Sequence, residues 1–211
     1  MRNMNRVILI AFGIFLSSIE LKAQDFGLKG GFVIATINGQ ETASFKPGVQ
    51  IGGYKLFGAS DQLHVQMEAL FSQKGSWNWD NSNPNNINLY YFDFAIMFGV
   101  YLNEKFTINV GIQPSLFLGG SYKYTLNGQE QSKGLRGKVS DMDYATIFGL
   151  EYKFNDTYSF GGRYNYSFVP LQSYNNEFSD KNELPTSQLV QFYAKVKFDK
   201  VIDWIKLIKR N

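Results

Sequence analysis

Hydrophobic and polar residues alternate along residues 63–75, LHVQMEALFSQKG, almost without fault. Leu63, Val65, Met67, Ala69 and Phe71 point one way; His64, Gln66, Glu68, Ser72 and Lys74 point the other. Successive side chains of a strand face opposite sides, so this period of two predicts a strand with one apolar and one polar face. At about 3.3 Å per residue it is long enough to cross a bilayer at a tilt, whereas ordinary strands average about 5–6 residues. The same unit recurs over residues 26–37, 47–58, 89–102, 106–118, 142–154, 157–169 and 187–198. In 89–102, Phe92, Phe94, Ile96, Phe98, Val100 and Leu102 oppose Tyr91, Asp93, Met97 and Tyr101. In 157–169, Tyr158, Phe160, Tyr164, Tyr166 and Phe168 oppose Arg163 and Asn165. This is an all-β pattern of about eight strands, an even number, as bacterial outer-membrane barrels have.

The connections sort by length. Residues 38–46, 76–88, 119–141 and 170–185 form long polar loops, while 58–61, 103–104 and 155–156 form tight turns. Long and short connections alternate, as they do in outer-membrane barrels with short periplasmic turns and long outer loops. The expectation is an eight-stranded antiparallel up-and-down transmembrane β-barrel over residues 24–198, with the long loops outside. Alternation does not say which face points inward. A membrane barrel turns its apolar face out; a soluble periplasmic lipid carrier of lipocalin type turns it in. Strand length, aromatics near the strand ends and the sorting of loops favour the membrane.

Composition narrows the chemistry. Aromatic residues make up 17% of the chain, with 13 Tyr and 19 Phe, which suits strands and membrane interfaces. There is no Cys and one His, so thiol chemistry, disulfides and Cys/His metal sites are not expected. Residues 1–23 read as a signal peptide, with Arg2 and Arg6 before the apolar run VILIAFGIFL and a cleavage point near Ala23/Gln24. No Cys follows that run, which argues against a lipoprotein. Of 21 basic and 18 acidic residues, the signal holds three and one, leaving 18 against 17. That balance gives no reason to expect nucleic acid as a partner.

The opening FGLKGGFVIATIN, then KPGVQIGGYKLFG leading into VQMEALFSQKG, resembles the PorT-like family of small outer-membrane β-barrels of Bacteroidetes type. YYFDFAIMFGVYL, GIQPSLFLGG, DYATIFGLEYKF and GGRYNYSF extend the resemblance from Phe26 to Phe198. Asp93 stands where a Glu is usual in the family and Ala95 where a Pro is usual, and the chain continues past Phe198. The resemblance implies an outer-membrane barrel. Because the family is named for a member involved in secretion, it also implies an accessory role in protein export or envelope integrity.

Several residues are candidates for chemistry. The inward, polar face carries Glu68, Asp93, Asp143 and Glu151 with Lys29, Lys153, Arg163, Lys195 and Lys197. An interior of about eight strands is just filled by side chains, so this set reads as a packed charge network that plugs the lumen. A proton path or a small-ligand site is the functional alternative. Arg163 is expected to fork two hydrogen bonds to a carboxylate, with Glu68 the best partner by face and depth and Asp93 and Asp143 behind it. His64 is expected to be a satisfied lumen histidine, not a catalytic base. No catalytic residue, metal or cofactor is expected. Trp77, Trp79, Tyr122, Tyr124, Lys133 and Arg136 are candidate outer contacts, the basic ones toward lipopolysaccharide phosphates.

Residues 199–211, DKVIDWIKLIKRN, change period. Val201, Trp204, Ile205 and Ile208 share a helical face opposite Lys206, Lys209 and Arg210. An amphipathic helix on the inner leaflet, or docked on a periplasmic or secretion-system protein, is expected there. The functional expectation is a non-enzymatic barrel of structural or accessory type. A surface receptor or adhesin working through its outer loops is the alternative, alongside the lipid carrier.

Overall fold

The computed structural model describes residues 25–37, 43–58, 61–78, 85–126, 129–137, 139–168 and 186–198. They form β1 (Asp25–Ile37), β2 (Ala43–Gly58), β3 (Leu63–Asn78), β4 (Asn85–Tyr101), β5 (Phe106–Leu126), β6 (Gln129–Gly134), β7 (Met142–Lys153), β8 (Tyr158–Ser167) and β9 (Ser187–Lys197). Every pairing is antiparallel, and the order β4-β3-β2-β1-β9-β8-β7-β5 closes through β4–β5. Eight strands therefore make a barrel, and β6 is a ninth that pairs only with the upper part of β5. The signal segment and residues 199–211 lie outside the described residues, and so does the predicted C-terminal helix.

The stagger can be followed through the register. From Phe117 of β5, directly paired residues run through Tyr91, Ser72, Gln50, Gly31, Tyr193, Gly161 and Glu151. They return to β5 at Thr107, ten residues lower. With strands about 4.8 Å apart and about 3.3 Å per residue, that stagger tilts the strands by about 40°, within the usual range for barrels. The shift matters for the lumen, because residues that meet across it are not those paired in the sheet.

The faces are resolved as a membrane barrel requires. Phe26, Phe32, Ile51, Phe71, Phe98, Phe148 and Phe192 point outward and are exposed, Phe32 to 68%. Lys29, Gln66, Glu68, Asp93, Gln113, Arg163 and Lys195 point inward and are buried. In water such an exterior would be untenable; in lipid it is the stable arrangement. A lipid carrier needs the apolar face inward, so that alternative is overturned by the fold.

Two parts of the sequence reading need correction. Residues 119–141 are not one loop: β5 continues to Leu126 and returns as β6, a hairpin standing beyond the barrel. The polar run QEQSKG has no alternation to mark it as a strand; it is one because the extended β5 offers it an edge. The loops expected over residues 38–46 and 76–88 are also shorter, since β2 begins at Ala43, β3 runs to Asn78 and β4 begins at Asn85.

Irregularities place key side chains. Tyr90 pairs with Gly119 and Tyr91 with Phe117, so Leu118 is an extra residue in β5. This bulge reverses the parity of the strand above it, so Phe117 and Tyr122 both face inward despite their odd spacing. The β2–β3 register slips between Phe45 and Gln50, around Pro47, which has no N–H to donate. Gly99 is small for a steric reason: a Cβ there would collide with the His64 ring. The tight turns at the opposite end are tied by side chains. Asn103 Oδ1 accepts the N–H groups of Lys105 and Phe106 at 2.8 and 2.9 Å, and Asn155 Oδ1 those of Thr157 and Tyr158, both at 2.8 Å.

Candidate functional site: the ionic lumen and the outer hairpin

The inward face is organised in layers. At its centre Glu68 on β3 receives Lys29 Nζ from β1 at 2.7 and 2.9 Å on its two oxygens, and Arg163 Nη1 from β8 at 2.6 Å. Gln66 Nε2 adds a bond at 2.6 Å. Arg163 spends its remaining donors on Gln191 and on Gln113, the latter at 3.3 Å. The Tyr193 ring lies 3.7 Å from Lys29 Nζ, which adds a cation–π contact. One carboxylate thus faces two cations, Arg163 from β8 across the barrel and Lys29 from β1, two strands from its own, all of them buried.

The layer toward the tight turns is built on Glu151 and Lys195. Lys195 Nζ donates to both oxygens of Glu151 at 2.8 and 2.9 Å and to Gln66 Oε1 at 2.8 Å, linking this layer to the central one. The layer toward the long loops holds Asp93, which accepts from Lys74 at 3.0 Å and from Ser72 at 2.6 Å. Asp143 sits beside it and accepts a hydrogen bond from Ser167. Burying a charge is costly unless it is compensated: Glu68, Asp93 and Glu151 each face a cation, and Asp143 has the Ser167 hydroxyl.

Above the charges the mouth is apolar. Ile87, Leu89 and Tyr91 of β4, Phe117 and Tyr122 of β5, and Leu135 and Val139 of the β6–β7 segment form one buried cluster. The segment after the hairpin therefore folds inward as a cap on the lumen. Lys46 flanks it, donating to the Ile87 carbonyl at 2.8 Å and to Asn88 at 2.6 Å.

The residues singled out from the sequence fare differently. Glu68 and Arg163 meet, 95 positions apart in the chain. The expected fork does not form: Arg163 gives Glu68 one bond, because Lys29 spans both of its oxygens. Asp93 turns to Lys74, which the sequence reading left out of the charge set. Lys153 follows the inward parity but passes the rim; it is exposed and pairs with Asp156 at 2.7 Å. That hydrogen bond, with the lysine charge, holds the Asp156 carboxyl below its ordinary pKa. His64 is buried against Tyr101, ring centroids 4.8 Å apart, and its Nδ1 has no partner among the described residues.

Among the outer candidates, Tyr122 is only 8% exposed and belongs to the apolar cap, so it is not available as a contact. It stacks on the half-buried Tyr124 at 5.3 Å. Lys133 and Arg136 are exposed, with Lys133 Nζ 5.5 Å from the Tyr124 ring. Lys123 pairs with Glu130 across the hairpin at 2.8 Å, which raises its pKa. Trp79 and the side chain of Trp77 lie outside the described residues. The cap itself was missed: its signal is the pair Leu135 and Val139, two isolated apolar residues in a polar stretch.

Among solved structures, the chain is similar to Ail, the attachment invasion locus protein of Yersinia pestis, at 11% identity and TM-score 0.51, covering 82% of this chain and 97% of that one. A second Ail structure, in complex with the heparin analogue sucrose octasulfate, aligns with TM-score 0.50, at 11% identity and the same coverage. Neisserial surface protein A aligns at 12% identity and TM-score 0.50, covering 82% of this chain and 96% of that one. At such identities the likeness is one of fold. No curated protein matches the chain in sequence. Residues 21–173 match the family described as outer membrane protein beta-barrel domain, and with its lipid-facing exterior and closed eight-stranded barrel the chain belongs to that outer-membrane family.

Proposed function

We propose that this protein is a closed, non-enzymatic outer-membrane barrel whose work is done at its surfaces rather than through its lumen. The observation that carries this reading is the double obstruction of the interior: a charge network centred on Glu68 and, above it, the apolar cap with Leu135 and Val139. An aqueous channel needs about 16 strands, and eight leave room only for side chains. The outer surface then offers the β5–β6 hairpin, with Lys133, Arg136 and Tyr124 as a basic and aromatic face for anionic glycans or lipopolysaccharide phosphates. The complex of Ail with a sulfated sugar supports the choice of ligand class by analogy of fold alone.

The PorT-like resemblance supports a second, compatible reading, an accessory role in export or envelope integrity. In it, residues 199–211 are the segment that meets the inner leaflet or a periplasmic partner. One set of measurements tests the main reading. The purified barrel in a planar bilayer should show no steady conductance, and binding to immobilised lipopolysaccharide should fall in the double variant Lys133→Ala/Arg136→Ala. Stable channel openings by the wild-type protein would refute the closed lumen. Unchanged binding by the double variant would remove the hairpin as the contact.

A further inference from the structure

The lipid-facing wall formed by β1, β9, β8 and β7 is not uniform. A groove of about 550 Å³ crosses it, floored by Gly30, Gly162 and Ala194 and walled by Phe32, Phe160 and Phe192. Gly30 pairs with Ala194 across β1–β9, and Gly162 on β8 is diagonal to Ala194, beside Phe192. The walls stand proud of this floor, with Phe32 68% and Phe192 54% exposed.

The packing of the sheet does not require these two glycines. A Cβ at Gly30 would meet no atom closer than 3.8 Å, and one at Gly162 none closer than 3.7 Å, which is ordinary contact. Their inward neighbours differ: at Gly31 a Cβ would run into the Phe192 carbonyl, and at Gly161 into the Tyr193 ring. Neither Gly30 nor Gly162 has a positive φ, and the register through both is free of bulges. Glycine inside a strand weakens it, and a remaining use for it is to let a ligand or another backbone come close.

Depth and charge select the occupant. Tyr152, at the lower end of the groove, is three residues from Asn155, and Gly162 is six from Asp156. At about 2.5 Å of height per residue in strands tilted by about 40°, the groove lies roughly 8–15 Å from the tight-turn rim. That is the periplasmic half of an apolar band about 25 Å tall, the half reached by acyl chains of the periplasmic leaflet. Because the floor is recessed below the phenyl rings, a flexible chain one methylene wide reaches it, whereas the convex wall of a second barrel does not. At the rim, Lys153 and Lys197 end β7 and β9, and Asp156 lies in the turn between β7 and β8. Two lysines against one aspartate leave this rim positive, which suits a phosphate.

We propose that this groove holds one acyl chain of a phospholipid of the periplasmic leaflet, with the lipid phosphate at Lys153 and Lys197. The lipid is a bound ligand of this wall, distinct from those that exchange around the barrel. It fills the recess that Gly30 and Gly162 leave, at the opposite end of the molecule from the outer hairpin.

The test uses the full barrel purified in detergent, with phosphatidylglycerol as the probe and native mass spectrometry as the readout. At an activation that strips the micelle, one phosphatidylglycerol should stay bound. Gly162→Leu, with folding checked by circular dichroism, fills the groove and should lower the retained fraction by about tenfold or more. Lys153→Ala/Lys197→Ala should lower it by about fivefold per lysine removed. Equal retention by the wild type and Gly162→Leu overturns the proposal, as does preference for lipid A, which belongs to the other leaflet. A lipid-free dimer that Gly162→Leu dissociates also overturns it, because the groove would then belong to a second copy. Unchanged retention by the double lysine variant overturns the placement of the phosphate. Ala194→Leu serves in place of Gly162→Leu if that variant does not assemble.

Discussion

Glu68 answers to two buried cations, and this makes the three residues unequal. Removing Arg163 leaves Glu68 with Lys29 still on both oxygens, whereas removing Glu68 leaves two positive charges facing each other in a closed space. Breaking a buried pair costs on the order of 3–5 kcal/mol when a charge is orphaned. Glu68→Ala should therefore reach that range in urea unfolding of the refolded barrel, and Arg163→Ala should cost clearly less. A double-mutant cycle should give a coupling above about 0.5 kcal/mol, since the two side chains touch. Equal costs for the two single variants would mean that Lys29 does not share the carboxylate.

The hairpins are held at their ends by different devices. In the tight turns, Asn103 and Asn155 each satisfy two backbone N–H groups through one side-chain oxygen. Asn155→Ala should destabilise the β7–β8 hairpin by about 1 kcal/mol, the usual worth of such local bonds. An Asp at the same position keeps the acceptor and should restore most of the loss, read again from unfolding midpoints. On the opposite side the β6–β7 segment is held by burial. Truncating Leu135 to Ala should cost about 2–5 kcal/mol if its site cannot collapse, and less if the mouth relaxes around it.

The whole molecule has two unlike ends, and the rule of short periplasmic turns gives them a direction. A cysteine at Lys133, on the exposed β6, should react with a membrane-impermeant maleimide on intact cells. One at Asp156, in a tight turn, should not. Reversed labelling would invert the barrel. The first and last strands of the barrel pair as β1–β9, with a register that runs to Lys197. Deleting residues 199–211 should therefore leave a folded barrel, checked by circular dichroism and by fractionation with the outer membrane. Failure to assemble would place the tail within the folding unit.

Much of this protein was legible along the chain because the decisive signals are local. Strict alternation defines strands, their length indicates a bilayer, and the sorting of connections indicates a barrel in the outer membrane. Even the meeting of Glu68 and Arg163 followed from face and depth, which each residue carries in its position within its own strand. What the tertiary structure decided is non-local. Period two is the same whether the apolar face points in or out; the burial of the polar face in the assembled barrel settled it. The stagger of ten residues put Lys29 on both oxygens of Glu68 and sent Asp93 to Lys74, which no spacing in the sequence encodes. The bulge at Leu118 turned Tyr122 from a surface contact into part of the mouth. β6 is a strand only because β5 runs on beside it, and Leu135 and Val139 are core only because the chain after that hairpin folds back over the opening. Pairing partners, register and closure are properties of the assembled sheet, so they emerge only when all eight strands are in place.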